Sequence, residues 1–237
     1  MSYVELKHLL ADLALEAARA PEKAMWAPTL AAYGTVATVQ RPAVPWIELE
    51  PVANALGSRF GWIASPESLS RVQEVGVVEH DHGRVRIRAA FAPHLPYLRQ
   101  QTTRLLDVLW RLRTLPRPQA VPDALSRGVA LFNAGLFFEC HEFLEDPWRA
   151  VSEREKNLYH GLIQVAAAFY HYEKRNRHGA YTLLGKGLGR LATYPSTSLG
   201  IDVEAFRKAL APWSEVFEAE RGHGVAPPPY PRIGFAA

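Results

Sequence analysis

The chain has 237 residues, 48% of them hydrophobic and 22% charged, with a formal net charge of +3. That is enough apolar material for one or two packed domains, and too little charge excess to argue by itself for a nucleic-acid partner. Cys140 is the single cysteine, which excludes an intrachain disulfide and agrees with a reducing cytoplasm.

The opening segment MSYVELKHLLADLALEAARA breaks its apolar pattern with Glu5, Asp12 and Glu16, so it does not read as a signal peptide. No stretch approaches the roughly 18 consecutive apolar residues of a membrane span. The expectation is a cytoplasmic protein without a membrane partner. Next, WIELEPVANALG places Leu49, Val52, Ala53 and Leu56 at helical spacing before Gly57. SPESLSRVQEVG predicts a second helix from Pro66 to Val75, with Ser65 as cap and Pro66 in the first helical position. VVEHDHGRVRIR then alternates around Asp-His-Gly, the pattern of a hairpin in which Arg84, Arg86 and Arg88 share one face and Val85 and Ile87 the other. Helix, turn, helix, hairpin is the order of a winged helix.

The stretch TLPRPQAVP carries Pro116, Pro118 and Pro122 and reads as a linker. Up to Arg117 there are fourteen Lys/Arg and eleven Asp/Glu, and thirteen of each follow, so the whole net charge lies in the first half. After the linker come helical patterns. Asp123 can cap one that runs to Ala134, with Gly135 as its stop. A second covers Leu136 to Asp146, with Pro147 expected to help end it. Ser152 and Glu155 form a capping box ahead of a long helix to about Arg175. Asn176 can stop that helix. A fourth spans about Gly179 to Thr193, and Asp202 caps a fifth reaching about Glu220. The predicted layout is a winged-helix-like α+β domain over 1–114 and a linker over 115–122. An antiparallel helical bundle follows over 123–221, then an extended Pro-rich tail over 222–237. The fold class is mainly α.

The chemistry concentrates in FNAGLFFECHEFLEDPW, from Phe132 to Trp148. His141 and Glu145 lie about 40° apart on a helix, sharing a face with Phe138 and Trp148. His-Glu-x-x-Glu differs by one residue from the His-Glu-x-x-His of zinc proteases: Glu145 stands where the second His belongs. On the long helix, His160, Gln164 and His171 form a polar row opposite the apolar Leu158, Leu162, Val165, Phe169 and Tyr172. A buried polar row needs partners, and His141 and Glu145 are the natural ones. Three uses are compatible with this set. It can be a satisfied structural network, a pocket lined by His141, Glu142, Glu145, Trp148, His160, Gln164 and His171, or a metal site drawing on His141, Glu145 and His160. Four convergent ligands are not apparent, so metal is not the favoured reading. HGAYTLLGKGLGRL fails the phosphate-loop pattern by one residue of spacing and by Gly187 where Ser or Thr should follow Lys186, so no nucleotide is expected. There Gly185 and Gly189 read as permitting close helix packing.

FNAGLFFECHEFLEDPW followed by YHGLIQVAAAFYHYEKRNRHGAYTLLGKGLGRL resembles the prokaryotic family called domain of unknown function 309. The matching features are the His141-Glu142-x-x-Glu145-x-x-Trp148 stretch, Gly161 to Gln164, and the turn with Asn176, Gly179 and Ala180. Cys140 replaces the family's usual Ala. The resemblance covers about Asp123 to Thr193 and implies an all-α bundle of antiparallel helices, with no established activity.

The reading reached from the residues is a ligand- or partner-binding regulatory module, its partner a small polar ligand or a protein. Two alternatives stay open. One is a hydrolase with His141 as general base oriented by Glu145, with or without a metal. The other is a DNA-binding regulator contacting phosphates through Arg71, Arg84, Arg86 and Arg88.

Overall fold

The computed structural model describes residues 2–115, 117–218 and 226–236. The fold is mainly α, and the chain divides into two compact units, Met1–Leu115 and Pro116–Ala237. No helix among the described residues is long and apolar enough to cross a membrane.

The N-terminal unit runs α1 (Ser2–Arg19), α2 (Trp26–Val36), β1 (Ala43–Pro45), α3 (Trp46–Gly57), α4 (Ser70–Glu74), β2 (Val78–Asp81), β3 (Arg84–Ile87) and α5 (Leu95–Thr114). α2 is buried from Trp26 to Gly34, because its sequence WAPTLAAYGTV offers no charged face. The three strands form an antiparallel sheet in the order β1-β3-β2. Tyr33 ties α2 to this sheet: its hydroxyl donates to the Pro42 carbonyl (2.6 Å) and accepts from the Ile87 N–H (2.8 Å). Burial raises the Tyr33 phenol to a pKa of about 12, which keeps it a donor at any ordinary pH. The β2–β3 turn places His82 and Gly83 at φ 48° and 70°, the two left-handed positions of a two-residue hairpin, where glycine removes the steric cost. Val85 and Ile87 are fully buried while Arg84 and Arg86 are exposed, as period-two alternation requires.

The segment from Pro66 departs from a single helix. It starts as a 3-10 turn over Pro66–Leu69 and becomes α-helical only in α4. The Ser65 side chain gives no cap; instead its carbonyl receives both the Ser68 N–H (3.0 Å) and the Ser68 hydroxyl (2.6 Å), which tightens the first turn.

The C-terminal unit is built from α6 (Asp123–Asn133), α7 (Phe137–Ala150), α8 (Glu153–Glu173), α9 (Arg177–Leu191) and α10 (Val203–Glu218), with a small hairpin of β4 (Thr197–Ser198) and β5 (Ile201–Asp202). Connections of two or three residues join α6 to α9 in sequence, and each helix packs against the next, so neighbours run antiparallel. Phe132 makes edge contacts with Phe137, Phe169 and Phe206, and Phe169 with Trp213 and Phe217, giving a core of rings around α8. α8 and α9 pack closely where two glycines face each other. A Cβ on Gly187 would stand 2.8 Å from Val165 and 3.0 Å from the Gly161 carbonyl. The glycines expected to do this, Gly185 and Gly189, meet open space instead. The periodicity explains the correction: Leu184, Gly187 and Leu191 fall on the buried stripe, and 185 and 189 fall outside it.

Helix ends also differ from the sequence pattern in detail. Asp123 is the first helical residue rather than the cap, and pairs with Arg127 (2.7 Å) one turn on. Pro147 does not end α7. It forfeits one backbone bond while the helix continues to Ala150 and the Val151 N–H closes on the Pro147 carbonyl. Ser152 donates from both its N–H (3.2 Å) and its hydroxyl (2.6 Å) to Glu155, completing the capping box of α8. Asn176 begins a helix rather than only ending one: its side chain accepts the Gly179 N–H (3.0 Å) at the start of α9. Asp202 caps α10 through the Ala205 N–H (2.8 Å), and the expected end at Glu220 lies outside the described residues.

The Pro-rich tail packs on this bundle over its described part, 226–236. Asn133 exchanges two hydrogen bonds with the Ile233 backbone (2.9 and 2.8 Å), and Phe235 bridges to Ile201. Tyr230 stacks on Trp213 at 5.3 Å with the rings 3° from parallel, and also meets Phe137 and Phe169 edge-on. The tail is therefore docked on the bundle, with Pro231 and Ile233 buried and Tyr230 and Phe235 partly exposed.

Candidate functional site

α7 buries Phe137, Cys140, Phe143 and Leu144, so His141, Glu142 and Glu145 are left along its partly exposed side. His141 is held between two carboxylates: Nδ1 is 3.1 Å from Glu142 Oε1 and Nε2 is 3.2 Å from Glu145 Oε1. The other oxygen of Glu145 takes Arg149 at 3.2 Å. Glu142, placed on a separate row by helical spacing, reaches His141 because adjacent side chains with one flexible partner can bend together. A protonated ring donates to both carboxylates; a neutral ring donates to one.

A second polar chain crosses from α8 to α9. Arg190 donates from Nε to Gln164 Oε1 (3.1 Å) and from its terminal nitrogen to Asn157 Oδ1 (2.7 Å). That fixes the orientation of the Gln164 amide, whose nitrogen lies 3.3 Å from His160 Nε2. The amide donates, so Nε2 of His160 accepts and the ring proton belongs on Nδ1. Burial lowers the His160 pKa, the Arg190 guanidinium lowers it further, and the Glu145 carboxylate opposes both. Geometry and electrostatics agree on a neutral imidazole. Gln164, 8% exposed, is the buried centre of this chain.

Trp148 joins the two groups. Its ring lies 5.1 Å from that of His160, and it stands one helical turn beyond Glu145. The Trp148 indole N–H is buried and has no acceptor among the described residues. An unmet buried donor costs about 1–3 kcal/mol. Beyond Asn157 the chain opens on a polar cavity of about 720 Å³, which Ser152, Arg154, Asn157, Thr193, Tyr194 and Thr197 line.

Of the expected pocket residues, His141, Glu142 and Glu145 form one cluster, and His160 and Gln164 a second that Trp148 and the charge of Glu145 link to the first. His171 belongs elsewhere. Its Nδ1 is 2.8 Å from Asn176 Nδ2, so it braces the cap of α9 at the far end of α8. It stands eleven positions along the helix from His160, a separation that shared angular position does not reveal. Sequence reasoning missed Arg190 and Asn157. A basic residue three positions after the glycine-packed stretch, on a helix that must pass Gln164, was the available signal. Among the described residues no group of three or more His, Cys, Asp or Glu converges as a metal-binding cluster, so His141, Glu145 and His160 do not form one ligand set.

In the N-terminal unit, three of the four expected phosphate-contacting arginines are engaged by acids. Arg71 makes a two-point contact with Glu16 (2.6 and 2.9 Å) and reaches Glu74. Arg86 pairs with Glu79 (3.3 Å), and Arg88 pairs with Glu5 while lying over the Phe91 ring. Arg84 has no ion pair among the described residues.

Two curated relatives share parts of this chain. The uncharacterized protein YpuF of Bacillus subtilis (strain 168) is 38% identical over 53 residues, 22% of this chain and 30% of that protein. An uncharacterized protein of Aquifex aeolicus (strain VF5) is 30% identical over 89 residues, 37% of this chain and 27% of that protein. The chain spans less than a third of the length of these relatives. Residues 125–183, from α6 through α7 and α8 into α9, match the family described as Domain of unknown function (DUF309), and it is this family whose segment carries the His141–Glu145, Trp148 and His160–Gln164 groups.

Proposed function

We propose that the C-terminal unit is a ligand- or partner-binding module whose binding surface joins His141, Glu142 and Glu145 to Trp148, His160 and Gln164. The observation that carries this reading is the orphaned indole N–H of Trp148. A buried donor without an acceptor, flanked by a neutral His160 and by the Glu145 carboxylate, suits a polar ligand that supplies an acceptor there. Gln164, locked by Arg190, keeps the His160 ring in one tautomer and so presents a fixed donor pattern to that ligand. The test is a nuclear magnetic resonance titration that follows the Trp148 indole N–H against small carboxylates, phosphates and amides. Binding of one class should move this resonance and the His160 ring signals together, and Trp148→Phe should abolish it. If no class moves either signal, the reading fails.

A hydrolytic role has one specific support, the 3.2 Å contact of His141 Nε2 with Glu145, which orients a partly exposed imidazole as a general base requires. A role for the N-terminal unit on duplex DNA draws less support. Phosphates would have to displace a carboxylate from Arg71, Arg86 and Arg88 in turn, which leaves Arg84 as the ready contact.

A further inference from the structure

The N-terminal unit carries a second arginine set that makes no ion pair among the described residues. Arg59 follows α3 in a short 3-10 turn, and its guanidinium lies over the Phe60 ring (5.0 Å) and over the Trp110 ring of α5 (5.9 Å). Phe60 stacks on Trp62 with centroids 4.9 Å apart and planes 30° from parallel. Arg113, also on α5, lies over Trp62 at 4.8 Å and donates to the Phe60 carbonyl (3.2 Å). The side chains thus make one pile in the order Trp110, Arg59, Phe60, Trp62, Arg113. Neither Arg59 nor Arg113 forms an ion pair among the described residues, in contrast to Arg71, Arg86 and Arg88. Phe60 and Trp62 are nearly buried, at 6% and 9% exposed, whereas Trp110 is 38% exposed and neighbouring Ile63 is 79% exposed.

Each part of this arrangement suits a nucleotide strand. A guanidinium over an aromatic face still has N–H donors to give, and these match phosphate oxygens in a two-point contact. An exposed indole at one end of the pile offers a face for an unpaired base, and Ile63, next to Trp62 in the chain, adds exposed apolar surface. Base-on-aromatic stacking beside unneutralised arginine is how proteins hold single strands without reading their sequence. A base-paired duplex hides the base faces that such a platform needs.

We propose that the Trp110–Arg59–Phe60–Trp62–Arg113 pile is a binding site for single-stranded nucleic acid. Bases stack on Trp110, and phosphates bind Arg59 and Arg113. This surface is distinct from the hairpin arginines and independent of the binding module in the C-terminal unit.

The test is fluorescence anisotropy with the full chain and labelled oligothymidylate and oligouridylate, each longer than about 16 nucleotides. A duplex of equal length is run alongside, at low and moderate salt. At least one single strand should bind more tightly than the duplex, and comparing the two strands tells DNA from RNA. Trp110→Ala should weaken binding about tenfold, and Trp110→Phe should restore most of it. Arg59→Ala and Arg113→Ala should each weaken binding and reduce the salt slope by about 0.7. Thermal melts followed by circular dichroism verify that each variant is folded; Phe60 and Trp62 are left intact because they are core. The proposal is overturned if neither strand binds at low salt or if the duplex binds as tightly. It also fails if folded Trp110→Ala, Arg59→Ala and Arg113→Ala all bind like the wild type, or if polyglutamate competes as well as nucleic acid, since the partner would then be an acidic protein surface.

Discussion

The two sides of α8 are covered by opposite means. One side, around Phe169, meets rings from α6, α7, α10 and the tail. The other side, around His160 and Gln164, meets a guanidinium, an indole and the charge of Glu145. The helix is hydrophobic over most of its circumference, so both sides have to be shielded from water. Rings do this without direction, and their contribution grows with buried area. The polar side works only if each donor finds its acceptor, and losing one partner strands another. Core packing thus sets how much stability α8 contributes, while the polar chain sets how the His160 ring is presented.

The largest separation between the sides should come from Phe169→Ala, which removes the ring at the centre of the cluster and leaves a cavity. Urea unfolding should show a loss of about 3–5 kcal/mol, with the His160 ring signals little changed if the folded state persists. A loss under about 1 kcal/mol would mean the rings do not form one core. Gln164→Leu acts on the other side. It keeps the volume but strips Arg190 and His160 of a partner, and should cost about 1–3 kcal/mol. Here His160 should lose its fixed tautomer, seen in its ring nitrogen shifts; unchanged shifts would show that Gln164 does not set it. The smallest effect is that of pH. Because the fold holds His160 below its ordinary value, the unfolded chain binds more protons once pH falls through about 6.5. Stability contributed by the neutral ring is therefore present above that pH and declines below it. Subtracting the melting profile of His160→Gln from that of the wild type should isolate this decline, and a difference independent of pH would refute it.

How much of this was legible beforehand depends on the range of the interaction. The capping box at Ser152 and Glu155, the hairpin turn at His82 and Gly83, and the alternation of Val85 and Ile87 are local, and sequence spacing suffices for them. Pairing His141 with Glu145 needed only one helical turn. Arg190 could not be found the same way, because its bond to Gln164 spans 26 residues and depends on which turn of α9 passes α8. The choice of Gly187 over Gly185 and Gly189 is the same problem, solved by the rotation of α9 about its axis. His171 was misplaced because angular position on a helix carries no information about height along it. The acid partners of Arg71 and Arg88, Glu16 and Glu5, lie on α1, far away in sequence.

The two bonds between Asn133 and Ile233 close a loop of 100 residues. Such a closure adds little to the entropy cost beyond that of a much shorter loop, but it has to wait until the helices between are in place. Docking of residues 226–236 is therefore a late event in folding and, reversed, an early one in opening. Amide exchange at Ile233 and Ala236 should run faster than in α8, since undocking frees these hydrogen bonds without melting a helix. Trp213, which would lose its stacked Tyr230 in the same step, gives that partial opening an optical signal of its own.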